Sequence, residues 1–480
     1  MYILNHDGKM YRKFFEDIAA IPHESYNEKA LSDYIVKFAE DRNLWHHQDE
    51  VWNVIVKKPA SPGYEDHDPV MIQGHIDMVC VKTPNSKHDF NVDPLELYVD
   101  ENGFLRAKDT TLGADCGHGI SYMLSILDDT TLKHPPIECV FTVQEEVGIG
   151  GPKYIDYSLL EARRLIFTDS MEEGRPELST TSVLGGDFSK SFPLVQVCSS
   201  NGYRIKIEGL SGGHAAADIN SGRASAIKLL SRILYGLSKE AETSIVSFNG
   251  GTMRNNIPNK AEAVICVSDD SFDVEKYVAS LGDEFKFEFR KIEPALSVEC
   301  EVCNDFFESI SPQDTREILS WIIGIPSDTI FTDPEDHSFP WTSANLGTTV
   351  IADGNFSAQY QIRSSIKSHI TMVFNQVEIL GGKFGIEWEE KFQYPGYVVQ
   401  EGTLMYNLYD EAYFELTGKH IVPKHIHAGT DVGTFIEKLE NLDVVGIGPN
   451  TYHFHTPNEC MELASYDRAY KCITMVLERL

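Results

Sequence analysis

Three short apolar segments of the chain each run directly into side chains that can ionise or bind metal ions. The segments, with the first such side chain after each, are 70–72 with His75, 137–143 with Glu145, and 164–168 with Asp169. Apolar runs of this length are typical of strands buried in a parallel sheet, and a helix is predicted between the first two, over about 117–127. Strands that alternate with helices indicate a doubly wound α/β domain, in which sites form at the carboxyl ends of the strands. We therefore expect the polar ends of these three strands to lie together.

The pattern of the sequence changes after about Gly186. The segment 204–210 alternates between polar and apolar residues, which predicts an antiparallel strand with solvent on one face of its sheet. A helix over about 223–237 and a strand at 261–267 are predicted to follow. The α/β pattern resumes near Pro395.

This change divides the chain into three stretches. We predict a first part of the α/β domain, an inserted α+β domain and a second part of the α/β domain at 1–185, 186–392 and 393–480. Within the insert, Asn255-Asn-Ile-Pro precedes the strand at 261–267, and Ser343-Ala-Asn-Leu-Gly precedes 358–363. A duplicated subdomain and a chance match explain this echo about equally well, so the insert contains either one domain or two similar subdomains.

The composition excludes several classes of partner. The 480 residues carry a formal charge of −32, from 73 acidic and 41 basic residues, and such a surface repels the phosphates of nucleic acids. We find neither a run of 18 apolar residues nor a basic and apolar leader, so we expect no membrane partner. Nine cysteines, an odd number without regular spacing, are typical of reduced thiols and predict a cytoplasmic protein.

The segment Gln73-Gly-His75-Ile-Asp77 combines an imidazole and a carboxylate at the end of the first strand. A neutral imidazole binds zinc-like ions, and Asp77 can orient its second ring nitrogen because residues i and i+2 of a strand share a face. A purely structural pair at a strand end is the alternative interpretation. Asp115 lies just before the predicted helix, where a metal ligand and an ordinary helix N-cap are both reasonable interpretations.

Glu145 and Glu146 follow the second strand and precede a glycine-rich turn. Adjacent like charges repel unless a cation is near. Because successive strand residues point to opposite sides, one carboxylate can bind a metal ion while the other transfers a proton. A solvated acidic turn is the alternative interpretation.

Asp169 after the third strand and His455 far downstream complete a larger set. The chain then places two histidines and three carboxylates at the ends of successive strands. Such a set suits two metal ions that share one bridging carboxylate.

These residues belong to an ordered series of motifs that covers nearly the whole chain. The motifs are Gly-His75-x-Asp77, Gly-Ala-Asp115, Glu145-Glu146-x-Gly, Asp169-Ser, Gly-Gly-His214-Ala and His455-Thr-Pro-Asn-Glu. The series resembles the M20 clan of metallopeptidases. More narrowly, the chain is similar to the aminoacyl-histidine dipeptidase branch, peptidase D, through the segments His134-Pro-Pro-Ile-Glu, Gly209-Leu-Ser-Gly-Gly-His214, 218–224, Asn256-Ile-Pro and Tyr394-Pro-Gly.

The resemblance implies a zinc-peptidase-like catalytic domain with an inserted lid domain and two divalent metal ions, zinc above all, with cobalt or manganese as alternatives. It implies two ligand sets that share Asp115 as the bridge: His75, Asp115 and Asp169 for one ion, and Asp115, Glu146 and His455 for the other. By the same resemblance Asp77 orients His75, and Glu145 is the general base that takes a proton from the attacking water. The implied activity is hydrolysis of small peptides, namely dipeptides of the Xaa-His type.

Four further residues resemble positions that contact the substrate in this family: His214, Asn256, Arg363 and Gly429. The histidine stabilises the tetrahedral oxyanion in the family, and the others anchor the substrate. A dipeptidase must recognise a free carboxylate one residue beyond the scissile bond, and the guanidinium of Arg363 can hold it through two parallel hydrogen bonds. An ordinary turn histidine and a surface arginine paired with an acid are the alternative interpretations. The family also suggests a homodimer.

The chain departs from the family pattern at several positions. Cys116 follows the bridging residue where the family usually has Asn or Asp, and His118 is also unusual; since thiolate is a soft ligand, the choice of metal stays open. Thr430-Asp431 replaces the more usual Leu-Glu, so the preference for histidine stays open too. As in the family, we expect a cis peptide bond between Asp115 and Cys116.

Two other functions compete with the dipeptidase. A deacylase of N-acyl amino acids uses the same metal site with a different lid. The other alternative is a non-catalytic metal-binding or regulatory protein that keeps the fold. Loss of Glu145 or of a metal ligand would favour this alternative, but all of these residues are present.

Overall fold

The computed structural model describes residues 3–197, 202–269, 271–303 and 307–480. The chain divides into two compact units, of which the first combines Met1–Thr180 with Gly396–Leu480 and the second is Thr181–Pro395. The predicted boundaries at 185/186 and 392/393 fall inside two strands of the second unit, Ser182–Ser191 and Glu387–Tyr394. The division therefore lies a few residues outside the predicted positions, because both strands pair fully within the second unit.

The helices of the described residues are, in chain order, α1 (Met10–Ala19), α2 (Lys29–Asp41), α3 (Ala114–Asp128), α4 (Ala226–Glu240), α5 (Val274–Glu288), α6 (Pro312–Gly324), α7 (Lys367–Phe384), α8 (Leu404–Thr417), α9 (Val432–Lys438) and α10 (Leu463–Arg479). Within the described ranges, none of them has the length and apolar character that a membrane crossing needs.

The strands of the described residues are β1 (Trp45–Gln48), β2 (Val54–Lys58), β3 (Val70–His75), β4 (Leu97–Val99), β5 (Phe104–Ala107), β6 (Ile137–Thr142), β7 (Arg164–Phe167), β8 (Glu177–Ser179), β9 (Ser182–Ser191), β10 (Leu194–Val197), β11 (Gly202–Glu208), β12 (Gly213–His214), β13 (Thr243–Gly251), β14 (Asn256–Ile257), β15 (Ala261–Val267), β16 (Ser297–Cys303), β17 (Phe307–Ile310), β18 (Asp328–Thr332), β19 (Pro340–Ala352), β20 (Asn355–Ser364), β21 (Glu387–Tyr394), β22 (Lys424–His425), β23 (Asp443–Gly446), β24 (Thr451–Tyr452) and β25 (Cys460–Glu462).

The first unit is built on a six-stranded sheet in the order β1-β2-β6-β3-β7-β23. Its strands β6, β3, β7 and β23 are parallel, whereas β1 and β2 add an antiparallel edge. Along β3 the burial alternates between two cores: Val70 and Ile72 pack into one apolar cluster and Met71 into another. Both faces of the sheet are therefore covered, which explains why β3 and β6 read as continuous apolar runs.

Helix α3 packs closely against the centre of this sheet. A Cβ atom at Gly119 would lie only 2.1 Å from Oγ1 of Thr168, which follows β7, so only glycine permits this approach. The helix begins at Ala114 rather than at the predicted Gly117, which brings Asp115 into its first turn. The predicted doubly wound α/β domain is confirmed.

The second unit is an α+β domain with a nine-stranded sheet in the order β16-β11-β15-β13-β19-β20-β9-β21, with β18 paired to β19. In β11, Ile205 and Ile207 are buried in one apolar cluster with residues of helices α4 to α7, while the alternate residues Arg204, Lys206 and Glu208 are more exposed. This alternation confirms the predicted strand with one solvent-facing side.

The two segments that echo each other in sequence adopt different structures. Asn256–Ile257 forms the short strand β14, which pairs with Gly213–His214 in β12. The matching residues after Ser343 lie instead in the middle of the long strand β19. Both segments belong to the same compact unit.

Candidate metal centre

The ends of three neighbouring parallel strands gather the polar residues of the first unit. His75 is the last residue of β3, Glu145 and Glu146 follow β6, and Asp169 comes two residues after β7. Because β3 pairs with both β6 and β7, the carboxyl ends of all three strands meet at one edge of the sheet. Asp115 reaches this edge from the first turn of α3.

One group of possible ligands surrounds His75. Its Nε2 lies 2.9 Å from Oδ1 of Asp115 and 3.5 Å from Oδ1 of Asp169. The backbone of Asp115 departs from helical geometry, with φ −80° and ψ 105°. The expected cis peptide bond between Asp115 and Cys116 is present.

A second group surrounds His455. Its Nε2 lies 2.9 Å from Oε1 of Glu146 and 3.2 Å from Oδ2 of Asp115. Asp115 therefore turns one carboxylate oxygen towards each histidine. This is the arrangement that a bridging carboxylate between two cations needs.

The donor set fits divalent cations. Nδ1 of His75 lies 2.9 Å from the carbonyl oxygen of Asp77 and donates to it, so Nε2 is the ring nitrogen that a cation would bind. Burial lowers the pKa of His75, but the carboxylates of Asp169 and Asp115 outweigh burial and raise that pKa well above its usual value. Oδ1 of Asp169 is buried without a hydrogen-bond partner among the described residues. Burial, followed by the charge of Asp115, raises the pKa of Asp169 well above its usual value. Buried acids so close together disfavour each other's ionisation, and a cation between them would relieve this repulsion. Imidazole nitrogens and carboxylate oxygens are the ligands that zinc and similar ions accept.

Asp77 connects His75 to the acidic pair. Its Oδ1 accepts the backbone N–H of Glu145 at 3.0 Å, and its Oδ2 accepts that of Glu146 at 3.2 Å and the hydroxyl of Ser25 at 2.7 Å. Burial opposes ionisation of Asp77, but His75 and these donors outweigh it and lower the pKa of Asp77. Asp77 thus fixes the imidazole through its carbonyl oxygen and the turn that carries the two glutamates through its carboxylate.

Glu145 lies beside this centre with an environment of its own. One of its oxygens falls within 4.8 Å of ligand atoms of His75 and Glu146. Burial raises the pKa of Glu145 well above its usual value, His75 opposes this, and the charges of Glu146 and Asp431 add to it. A carboxylate with a raised pKa is a stronger base, as proton transfer near neutral pH requires.

Of the two unusual residues after Asp115, Cys116 lies close to the centre and His118 does not. The sulfur of Cys116 groups with ligand atoms of His75 and Asp169 within 4.8 Å, and burial raises the pKa of its thiol. The ring nitrogens of His118 lie instead at the carbonyl oxygens of Ala114 and Thr168, at 2.5 and 2.7 Å. His118 is therefore tied to the backbone.

Asp431 takes part in a buried network that the sequence did not predict. Its Oδ2 accepts from Nε2 of Gln73 at 2.9 Å and from Oγ1 of Thr142 at 2.5 Å, so it ties the ends of β3 and β6 to the start of α9. Burial raises the pKa of Asp431 to about 7. The only signal of this position in the sequence is that Thr430-Asp431 replaces the family's usual Leu-Glu, and that difference does not indicate the network.

The predicted substrate-contacting residues fall in both units. Gly429 lies in the first unit, in the loop between β22 and α9. In the second unit, His214 and Asn256 face each other across β12 and β14, and Arg363 lies in β20. The side chain of Arg363 is buried, with a residue exposure of 7%. Within the part of the chain that the structure describes, its Nε has no hydrogen-bond partner.

Comparison with known proteins places this geometry in a family. The model of peptidase family M20/M25/M40 matches residues 71–479. The cytosol non-specific dipeptidase of Escherichia coli (strain K12) is 34% identical over 472 residues, which cover 97% of this chain and 96% of that protein. The crystal structure of aminoacylhistidine dipeptidase from Vibrio alginolyticus superposes with a TM-score of 0.84 at 29% identity, over 98% of this chain and 96% of that one. An aminopeptidase from Bacillus cereus, at 15% identity and a TM-score of 0.54, shares the fold.

Proposed function

Because this chain belongs to peptidase family M20/M25/M40, we propose that it is a dipeptidase that uses two metal ions to hydrolyse the peptide bond of dipeptides, Xaa-His dipeptides among them. The observation that carries this proposal is Asp115, whose two oxygens lie 2.9 and 3.2 Å from two different histidines. The two relatives at 34% and 29% identity, both named as dipeptidases, support the substrate class.

The proposed ligands of the two ions are those of the two groups that share Asp115, namely His75, Asp115 and Asp169, and Asp115, Glu146 and His455. We propose zinc as the physiological metal, with cobalt or manganese as alternatives, because the groups offer imidazole and carboxylate donors. When bound, two such ions would lower the pKa of water and polarise the scissile carbonyl.

Glu145 is the proposed general base. It lies beside the ligand groups, and its raised pKa suits it to accept a proton from the attacking water and pass it to the leaving amine. Asp77 is the proposed positioning residue, because its carboxylate holds the backbone of Glu145 and Glu146 while its carbonyl holds Nδ1 of His75.

Arg363 is the proposed anchor for the free carboxylate of a dipeptide. A buried guanidinium normally has a hydrogen-bonded acid beside it, yet none of the ion pairs among the described residues includes Arg363. A substrate carboxylate would supply the missing partner through two parallel bonds.

The remaining substrate contacts rest on the family resemblance. His214 is the proposed stabiliser of the oxyanion, and Asn256 and the backbone at Gly429 are proposed to hold the substrate. The second unit is then the lid of the enzyme.

The proposed location is the cytoplasm. The eight cysteines that the structure describes are free thiols, as a reducing compartment requires, and the E. coli relative is named for the cytosol. A homodimer is a proposal that rests on the family resemblance.

A substrate panel tests the proposed function. The purified protein, loaded with zinc, is assayed against a set of dipeptides, a tripeptide and N-acetyl amino acids, with and without a chelator. We expect cleavage of dipeptides that the chelator abolishes and zinc restores. Faster hydrolysis of N-acetyl amino acids would favour a deacylase, and metal binding without any hydrolysis would favour a non-catalytic protein.

A further inference from the structure

Glu459 closes the motif that begins at His455, and neither the ligand sets nor the proton transfer uses it. Its side chain lies in the first unit, 2% exposed, against the residues that lead into helix α3. There the carboxylate accepts four consecutive backbone N–H groups. Oε2 receives those of Leu112 and Gly113 at 2.7 and 3.1 Å, and Oε1 receives those of Ala114 and Asp115 at 2.9 and 3.4 Å.

The backbone before Asp115 is shaped for this contact. Gly113 has a φ of +66°, in the left-handed region that glycine adopts without strain, and this turns successive N–H groups towards one acceptor. These four N–H groups form a cradle in which each oxygen of the carboxylate accepts two hydrogen bonds. An uncharged amide in its place has only one acceptor oxygen, so some of the four N–H groups would lose their partner.

The same residue is tied to the segment that carries His455. The backbone N–H of Glu459 donates to the carbonyl oxygen of Thr456 at 3.0 Å, which closes the turn after the histidine. Glu459 therefore joins the backbone of two segments that hold Asp115 and His455. The sheet itself does not fix these two residues, because Asp115 lies in the irregular first turn of α3 and His455 lies in a loop after β24.

We propose that Glu459 is a positioning residue for the bridging carboxylate: it sets the place of Asp115 relative to His455 and thereby the affinity of the ion between them. This inference deepens the proposed function and rests on its ligand sets. Replacement of a residue that orients a metal ligand through hydrogen bonds changes metal affinity by roughly 10–100-fold. The effect should fall on the ion at His455, because the ligands at His75 have the support of β3 and Asp77 as well.

The chain offers a matched control. Glu138 is also buried in the first unit, and its carboxylate likewise accepts backbone N–H groups, from Glu161 at 3.1 Å and Ala162 at 3.0 Å. It lies at the opposite end of β6 from the metal ligands. Glu138→Gln therefore disturbs a similar cradle without touching the centre.

The test is a zinc titration of the metal-free full-length protein, followed by calorimetry, for wild type, Glu459→Gln and Glu138→Gln. We expect wild type to bind two ions, Glu459→Gln to bind one of them about 10–100-fold more weakly, and Glu138→Gln to bind both within about threefold of wild type. Under saturating zinc, Glu459→Gln should lower kcat for a dipeptide and leave KM nearly unchanged, because the side chain of Glu459 is buried against backbone N–H groups.

Two results would overturn the proposal: unchanged affinity for both ions in Glu459→Gln, or an equal loss in Glu138→Gln. Circular dichroism verifies the folding of each variant. If Glu459→Gln does not fold, Glu459→Asp is titrated in its place; it keeps the charge but is too short to reach all four N–H groups, and wild-type affinity for both ions would again refute the role. Because the titration contains no substrate, a wild type that binds two ions but cleaves no dipeptide contradicts the proposed function and leaves the role of Glu459 standing.

Discussion

His75 is 1% exposed and ends a strand buried in the sheet, whereas His455 is 43% exposed and lies in a loop. Asp77 and two neighbouring strands fix the first imidazole. The imidazole of His455 lacks support of this kind from strands. The backbone of His455 adopts a φ of +62°, a conformation that non-glycine residues keep only where the surrounding structure enforces it. The comparison shows a centre with one half held by the sheet and one half held by loops. It also explains why a buried carboxylate such as Glu459 is needed on the loop side.

The largest effect should come from the residue that belongs to both halves. Asp115→Ala removes one oxygen from each ligand group, so both ions should bind at least about 100-fold more weakly, since loss of a supporting residue alone costs 10–100-fold. Metal content after dialysis and dipeptide hydrolysis measure this. Asp128→Ala, at the other end of α3 and partly exposed beside Arg42, is the control and should retain both ions. Retention of one tightly bound ion in Asp115→Ala would show that the two halves do not share it.

The acidic pair separates metal binding from proton transfer. Glu145→Gln should reduce kcat by roughly 10²–10⁴-fold while the metal content stays near that of wild type, because a general base contributes about this much. Glu146→Gln should instead lower occupancy on the His455 side, since Oε1 of Glu146 lies 2.9 Å from Nε2 of His455. Equal metal loss in both variants would contradict this division.

The two histidines themselves test the difference between the halves. His75→Ala should weaken its ion by at least about 100-fold, while His455→Ala should weaken its ion by about tenfold, because water can take the exposed position. Thermal unfolding of the metal-free forms should also separate them: His75→Ala leaves a buried cavity beside Asp77 and lowers Tm, and His455→Ala does not. Similar losses of affinity and of Tm would remove the distinction.

The smallest effect concerns the second unit. Arg363→Ala should lower kcat/KM for dipeptides by at least about tenfold, since a hydrogen bond to a charged group contributes about 1.5–3 kcal/mol. A dipeptide with an amidated carboxyl terminus should be a poor substrate for wild type and lose little more in the variant. Equal losses on free and amidated substrates would make Arg363 a structural residue.

That His75, the acidic pair and Asp169 lie together could be predicted locally, because each follows an apolar run and the carboxyl ends of neighbouring parallel strands meet at one edge of the sheet. The cis bond after Asp115 was expected from the family resemblance alone. The supporting contacts could not be predicted, because they join distant parts of the chain. Asp77 holds the N–H groups of Glu145 and Glu146 from 68 and 69 positions away, and Glu459 holds that of Leu112 from 347. The pairing that makes β19 one long strand likewise depends on partners that no local pattern reveals.

The most direct test of the central claim is a crystal structure of the zinc-loaded protein with anomalous scattering recorded at the zinc edge. We expect two anomalous peaks about 3.5–4 Å apart in the first unit, with Oδ1 of Asp115 bound to the ion at His75 and Oδ2 to the ion at His455. A single peak in a fully loaded crystal, or two peaks with both oxygens of Asp115 on one ion, would contradict the account.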